Sequence, residues 1–187
     1  EGGIIVIKKK KIYETIKKIR AFGYKKNRNF KLNYDVDMLG YNYRMNEIEA
    51  AIGLKQLDKI KKFLVSRKNN FEYLYERISL IKELKLLNKY KREFTHSHYC
   101  ITFILKDKRS GLRNLIIKDL QRKGIGTSIY YPGPVPMFSY YKKKYALRKS
   151  EFKNADTISN QSISLPVGPH LSKKQLNSIV KNLKDLF

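Results

Sequence analysis

Acidic residues are scarce in this chain: 16 Asp and Glu stand against 41 Lys and Arg, a formal net charge of +25. Tryptophan is absent, histidine occurs three times and cysteine once. The single Cys100 excludes an intrachain disulfide framework and a cysteine-rich zinc cluster. No stretch reaches the roughly 18 consecutive apolar residues of a membrane helix. The opening EGGIIVIKKK carries its charge after the apolar run, the reverse of a signal peptide. It also lacks an initiator methionine, so Glu1 is not expected to be a natural start. A cytoplasmic location is the default expectation. GxSxG, HExxH and Walker A patterns are missing, which removes the commonest signatures of serine hydrolases, zinc proteases and P-loop enzymes.

What is present is an ordinary globular balance, 42% hydrophobic and 30% charged residues. At 187 residues the chain suffices for one domain with a modest core, or for a small domain and part of another. The lysines fall in short runs along the whole length, such as YKKKY, and form no single arm or stripe. Three explanations of the charge stay open: a compositional bias, a polyanion-binding surface, and attraction of a small phosphorylated substrate.

Gly2-Gly3 and then Ile4 to Ile7 predict a turn into a short strand buried on both faces, because the run is apolar without alternation. Ile12, Ile16 and Ile19 predict a helix that Gly23 ends. A loop rich in Asn, Tyr and Gly runs from there through Tyr43. Asn46 caps the next helix, with Glu49 three residues on to reciprocate. Ala50, Leu54, Leu57, Ile60 and Leu64 recur at helical spacing, and Phe71, Leu74 and Ile78 continue the pattern. Thirty-odd helical residues span about 48 Å, which suits a bridge between domains.

Beyond Leu80 the pattern changes. HYCITFIL predicts a strand with Tyr99, Ile101, Phe103 and Leu105 on one face and Cys100 and Ile104 on the other, both covered. Leu112, Ile116 and Leu120 mark a helix stopping at Gly124. GTSIYY predicts a second strand and SISLPVG a third. Ser172 and Gln175 form a capping box for a last helix with Leu176, Ile179, Val180 and Leu183 inside. The reading is therefore residues 1–45 as the trailing part of a larger domain, 46–79 as a long linking helix, and 80–187 as a small α/β domain. A lone strand and helix cannot close an α/β core, so residues 1–40 are expected to pack on another chain or on residues outside this sequence.

Candidate chemistry is sparse. His96 and His98 lack a third ligand at metal spacing and read as surface or loop-edge residues. His170, just before the last cap, reads as structural or exposed, and Cys100 as a small buried hydrophobe. No metal site is expected. Tyr130 and Tyr131 end a predicted strand, where phenols can line a site or simply pack. Arg44 offers a planar fork of donors to a phosphate or carboxylate, and Asn42 can donate to the same anion. Ordinary loop hydrogen bonding is the alternative for that pair.

Four ordered stretches, EGG at Glu1–Gly3, GYNYRMNEIEAAIGLKQLDKI, GIGTSIYYPGPVP and SNQSISLPVGPHLS, resemble the DegT/DnrJ/EryC1/StrS family of pyridoxal-phosphate-dependent sugar aminotransferases. The resemblance covers nearly the whole chain. It implies the C-terminal portion of the type I, aspartate-aminotransferase-like α/β fold, with a small α/β C-terminal domain. It also implies pyridoxal 5'-phosphate as cofactor, a homodimer with interfacial sites, and transfer of an amino group, usually from glutamate, to a nucleotide-linked keto sugar for polysaccharide and related synthesis. By the same resemblance Asn42 and Arg44 belong to a loop at the cofactor phosphate, reached across the subunit boundary, and Tyr130 and Tyr131 line the substrate pocket. The family often has histidine where this chain has Tyr130, and a further histidine is replaced near Pro136.

The family's Schiff-base lysine lies shortly before the turn at which this chain begins, with the aspartate for the pyridine nitrogen and the stacking aromatic further upstream. Lys8 to Lys11 match ordinary surface positions. The chain is therefore expected to be one portion of an aminotransferase, inactive alone, with no catalytic residue of its own. A small basic nucleic-acid-binding protein and a non-catalytic dimerising remnant are the competing expectations.

Overall fold

The computed structural model describes residues 2–25, 35–87, 94–106 and 111–187. Glu1 of the EGG stretch and the middle of the Asn- and Tyr-rich loop lie outside the described residues. Contacts divide the chain into two units, Glu1–Ile60 and Lys61–Phe187.

In the first unit, helix α1 spans Lys10–Ile19. It ends as the glycine predicts: Gly23 takes φ +73°, and the Ala21 and Gly23 amides both donate to the Lys18 carbonyl at 2.9 Å. The chain then returns antiparallel to itself, with bridges Ala21↔Asn42 and Tyr24↔Val36. The Lys18 ammonium reaches Asp37 at 2.5 Å. The expected strand at Ile4–Ile7 is a correction. Those residues form no ladder among the described residues, and Ile4 and Val6 are 81% and 89% exposed. An apolar run codes for burial between neighbours, and a strand exists only when a partner's amides and carbonyls lie beside it.

Helix α2, Glu47–Ile78, is 32 residues long. Its start is the predicted capping box: the Glu49 amide donates to Asn46 Oδ1 at 2.9 Å and the Asn46 amide to Glu49 Oε2 at 3.4 Å. Phe71, Leu74 and Ile78 are buried, whereas Ile48, Ile52, Leu54 and Leu57 are exposed.

The second unit holds a three-stranded antiparallel sheet in the order β1 (Leu84–Leu86), β2 (Cys100–Leu105), β3 (Ser162–Pro166). Phe103 pairs with Leu86 on one side and Ile163 on the other. Helices α3 (Arg113–Arg122), α4 (Ser139–Tyr145), α5 (Lys153–Gln161) and α6 (Lys173–Lys184) complete it. Ile101, Phe103 and Leu105 alternate into one core with Leu74, Ile78, Leu120, Ile163, Leu165, Ile179 and Leu183. The Ser172–Gln175 capping box opens α6 as expected. Asn70 donates to the carbonyls of Val167 and Gly168 at 3.3 and 2.9 Å, tying the end of β3 to α2.

Three expectations for this unit need correction. GTSIYY makes no strand: Ser128 exchanges two backbone bonds with Ser164, at 3.0 and 2.8 Å, and the pairing stops there. The remaining strand is β1, whose three residues are too few for a periodicity to register. On β2 the Cys100 face is only half-covered, so Cys100 is half-buried, and Tyr99 lies outside the strand, 64% exposed. His98 is buried instead of superficial, packed 4.9 Å from the Phe71 ring centroid, with its backbone at φ +47°.

Candidate functional site

Asn42 and Arg44 owe their placement to two glycines. A Cβ on Gly40 would collide with the backbone of Phe22 and Gly23, and one on Gly23 with the Met38 carbonyl. Without side chains the two segments press backbone to backbone. Three bonds then lock the returning strand onto the end of α1: Tyr41 N–H to Ile19 O at 2.7 Å, Phe22 N–H to Tyr41 O at 3.0 Å, and Tyr43 N–H to Arg20 O at 2.9 Å. Tyr41 and Tyr43 stack at 5.1 Å on alternate positions, leaving Asn42 between them.

The Arg44 Nε–H donates to Asn42 Oδ1 at 3.3 Å, and the guanidinium lies 5.3 Å from the Phe22 ring centroid. Both side chains are exposed. The Asn42 oxygen is thus occupied as an acceptor. The Asn42 amide protons and the outer guanidinium N–H groups remain as donors, a set suited to an anion and to nothing electron-poor. Phe22 was not visible as part of this site from sequence, because a ring under a guanidinium 22 positions away leaves no periodic signal.

The tyrosine pair lies in the second unit. Tyr130 and Tyr131 meet edge to face, centroids 5.8 Å apart, and both are exposed. Ser128, two residues earlier, fixes their backbone to β3. A third ring joins them: the Tyr99 ring centroid stands 6.1 Å from that of Tyr130, the planes inclined at 58°. The neighbouring Tyr130 phenol is the main reason the Tyr99 phenol titrates above its ordinary value of 10.0. The Arg67 guanidinium opposes the shift. In the sequence Tyr99 continues the alternating face of Ile101, Phe103 and Leu105, so no sequence signal singles it out.

The histidines fall elsewhere. His96 Nδ1 accepts from the His98 amide at 2.9 Å. Burial, followed by the neighbouring His96 imidazole, holds His98 below its ordinary value of 6.5. His170 is exposed on the rim of a cleft of about 420 Å³ that Lys123 and Gln175 also line.

The relatives agree with the residues that suggested them. The sequence model of the DegT/DnrJ/EryC1/StrS aminotransferase family matches residues 1–184. The UDP-4-amino-4,6-dideoxy-N-acetyl-beta-L-altrosamine transaminase of Campylobacter jejuni serotype O:23/36 is 28% identical over 200 residues, covering 98% of this chain and 47% of that protein. GDP-perosamine synthase of Escherichia coli O157:H7 is 29% identical over 191 residues, covering 100% of this chain and 48% of that protein. Among solved structures, Helicobacter pylori PseC, an aminotransferase involved in the biosynthesis of pseudoaminic acid, superposes with a TM-score of 0.83 at 22% identity, over 96% of this chain and 47% of that one. The chain spans about half the length of the relatives it matches, and its architecture is that of the type I, aspartate-aminotransferase-like fold. This chain belongs to the DegT/DnrJ/EryC1/StrS aminotransferase family.

Proposed function

We propose that these residues form part of a pyridoxal-phosphate-dependent aminotransferase that moves an amino group, with glutamate as donor, to a keto group on a nucleotide-linked sugar. In this reading residues 1–45 complete the cofactor domain, 46–79 link, and 80–187 form the small domain. The observation that carries it is the Asn42–Arg44 pair, held on a locked loop with its donors outward.

The donor set fits the phosphate end of the cofactor. The Arg44 guanidinium supplies charge and a planar fork, and the Asn42 amide adds a neutral donor beside it. Bound pyridoxal phosphate supplies the electron sink on which amino groups are exchanged. Phe22 offers a ring face to the Arg44 guanidinium and restrains it there. Tyr130 and Tyr131 offer hydroxyls and ring faces to the sugar or its diphosphate. The apolar residues exposed at Ile4–Val6 and along the first half of α2 favour a homodimer and further chain covering them. A cytoplasmic site and a role in polysaccharide synthesis complete the proposal.

By itself the 187-residue chain is proposed to be inactive. Coexpression with the half of GDP-perosamine synthase that this chain does not match tests the reading. Cofactor absorbance and glutamate-dependent amination are expected with both parts present and neither part alone. Asn42→Ala with Arg44→Ala is expected to weaken cofactor binding about tenfold or more, since each removes a hydrogen bond to a charged group. Absence of cofactor uptake in the complemented protein would count against the reading.

A further inference from the structure

We propose that helix α4 and the turn leading into it form a docking surface for an anionic lipid bilayer, with the tyrosine rings entering the headgroup layer and the lysines meeting its phosphates. The inference is independent of the aminotransferase reading, and it gives one part of the chain's positive charge a role.

The segment stands out by its charge. Between Asp119 and Glu151 there is no acidic residue, whereas seven Lys and Arg stand there. Five of the seven, Lys142, Lys143, Lys144, Arg148 and Lys149, lie in α4 or just after it. Lys149 pairs with Asp156 at 3.1 Å. Lys142, Lys143 and Arg148 form no ion pair among the described residues.

Packing does not account for α4. A helix of seven residues is far too short to hold itself in water, and none of its residues is buried. Tyr140, Tyr141 and Tyr145 are all exposed, as are Phe138 and Val135 in the preceding turn. At about 100° per residue the three tyrosines and Lys144 share one face of the helix, and Ser139, Lys142 and Lys143 share the other. The aromatic face is ordered from within. Tyr140 and Tyr141 meet edge to face with centroids 5.2 Å apart. Lys144 Nζ lies 5.3 and 5.5 Å from the Tyr140 and Tyr145 centroids and donates to the Tyr140 hydroxyl at 3.1 Å.

Exposed rings flanked by unpaired cations match the boundary of an anionic bilayer. A tyrosine sets an apolar ring and a polar hydroxyl at the depth where acyl chains give way to headgroups. Lysines beside it are drawn by the negative surface potential. The chain would lie on such a surface, since no helix among the described residues is long and apolar enough to cross it. A nucleic-acid strand is instead held in a basic groove with ring faces open for stacking. Every residue of α4 is exposed, so the helix supplies no groove wall, and the Tyr140 ring is already engaged by Tyr141 and Lys144.

The test is co-sedimentation of the full chain with vesicles of phosphatidylglycerol and phosphatidylcholine in equal parts, against phosphatidylcholine alone. Binding is expected to the mixed vesicles only. Lys142→Gln with Lys143→Gln is expected to weaken it about tenfold or more. Tyr141→Ser with Tyr145→Ser is expected to weaken it about threefold or more. Lys61→Gln with Lys62→Gln removes the same charge from the exposed side of α2 and is expected to change binding less than about twofold. Equal losses from the two lysine pairs would mean that net charge alone acts, and the proposal falls. The chain has no tryptophan, so Tyr141→Trp provides a single reporter, whose emission is expected to move to shorter wavelength on the mixed vesicles. An unmoved emission leaves the ring in water and overturns the insertion. If single-stranded polyuridine binds, loses affinity in the same α4 variants and displaces the chain from vesicles, the surface is one for nucleic acid and the proposal falls.

Discussion

The two halves of α2 carry the same code and meet different fates. Leu54, Leu57 and Ile60 in the first half recur at helical spacing as surely as Phe71, Leu74 and Ile78 in the second. The second set is buried under β2, β3 and α6, and the first stands in the open. Helical periodicity therefore reports that a face is to be covered. It does not report by what. The contrast extends to the units: Gly23 is the only buried residue among those described in residues 2–60, whereas the second unit encloses eighteen apolar side chains.

The strongest way to sharpen this comparison is to cut the buried stripe. Leu74→Ala removes a fully enclosed side chain and is expected to cost about 2–5 kcal/mol, read as a lower denaturant midpoint. A smaller effect comes from acid. His98 packs on Phe71 in the covered half, and its folded form favours the neutral ring. The unfolded chain takes up a proton near the ordinary value of 6.5, and the folded chain does so only at lower pH. Between those values the unfolded state binds more protons, so stability falls as pH drops below about 6.5 and levels off under the folded value. Thermal midpoints measured across that range should show the slope in the wild type and lose it in His98→Asn. The smallest effect is expected from Leu54→Ala, within about 0.5 kcal/mol in the chain alone because nothing there is uncovered by the change. An equal cost for Leu54→Ala and Leu74→Ala would erase the distinction between the halves.

Much of this was legible where short-range physics decides. The Asn46–Glu49 and Ser172–Gln175 boxes need only residues three apart. Gly23 and Gly124 stop their helices at positive φ because a glycine alone bears it without cost. Strand assignments fared less well. Ile4–Ile7 and GTSIYY both look like strands, yet a strand requires a neighbour that sequence pattern does not name, and β1 is too short to announce itself. The Asn42–Arg44 pair was legible as two residues on one loop. That Phe22 backs it and that Gly40 seats against Gly23 were not, since those contacts cross 22 and 17 positions.

The sequence by itself determined helices α1, α2, α3 and α6, the caps of α2 and α6, the core stripe of β2 and the family, all of which depend on local spacing or on ordered motifs, but not α4 and α5. Only the tertiary structure decided which apolar faces are filled, which extended segments pair, and that Tyr99 stands against Tyr130. The reason is physical: hydrogen-bond capping and periodicity act over one or two turns of chain, whereas burial and strand pairing depend on surfaces brought together from distant positions.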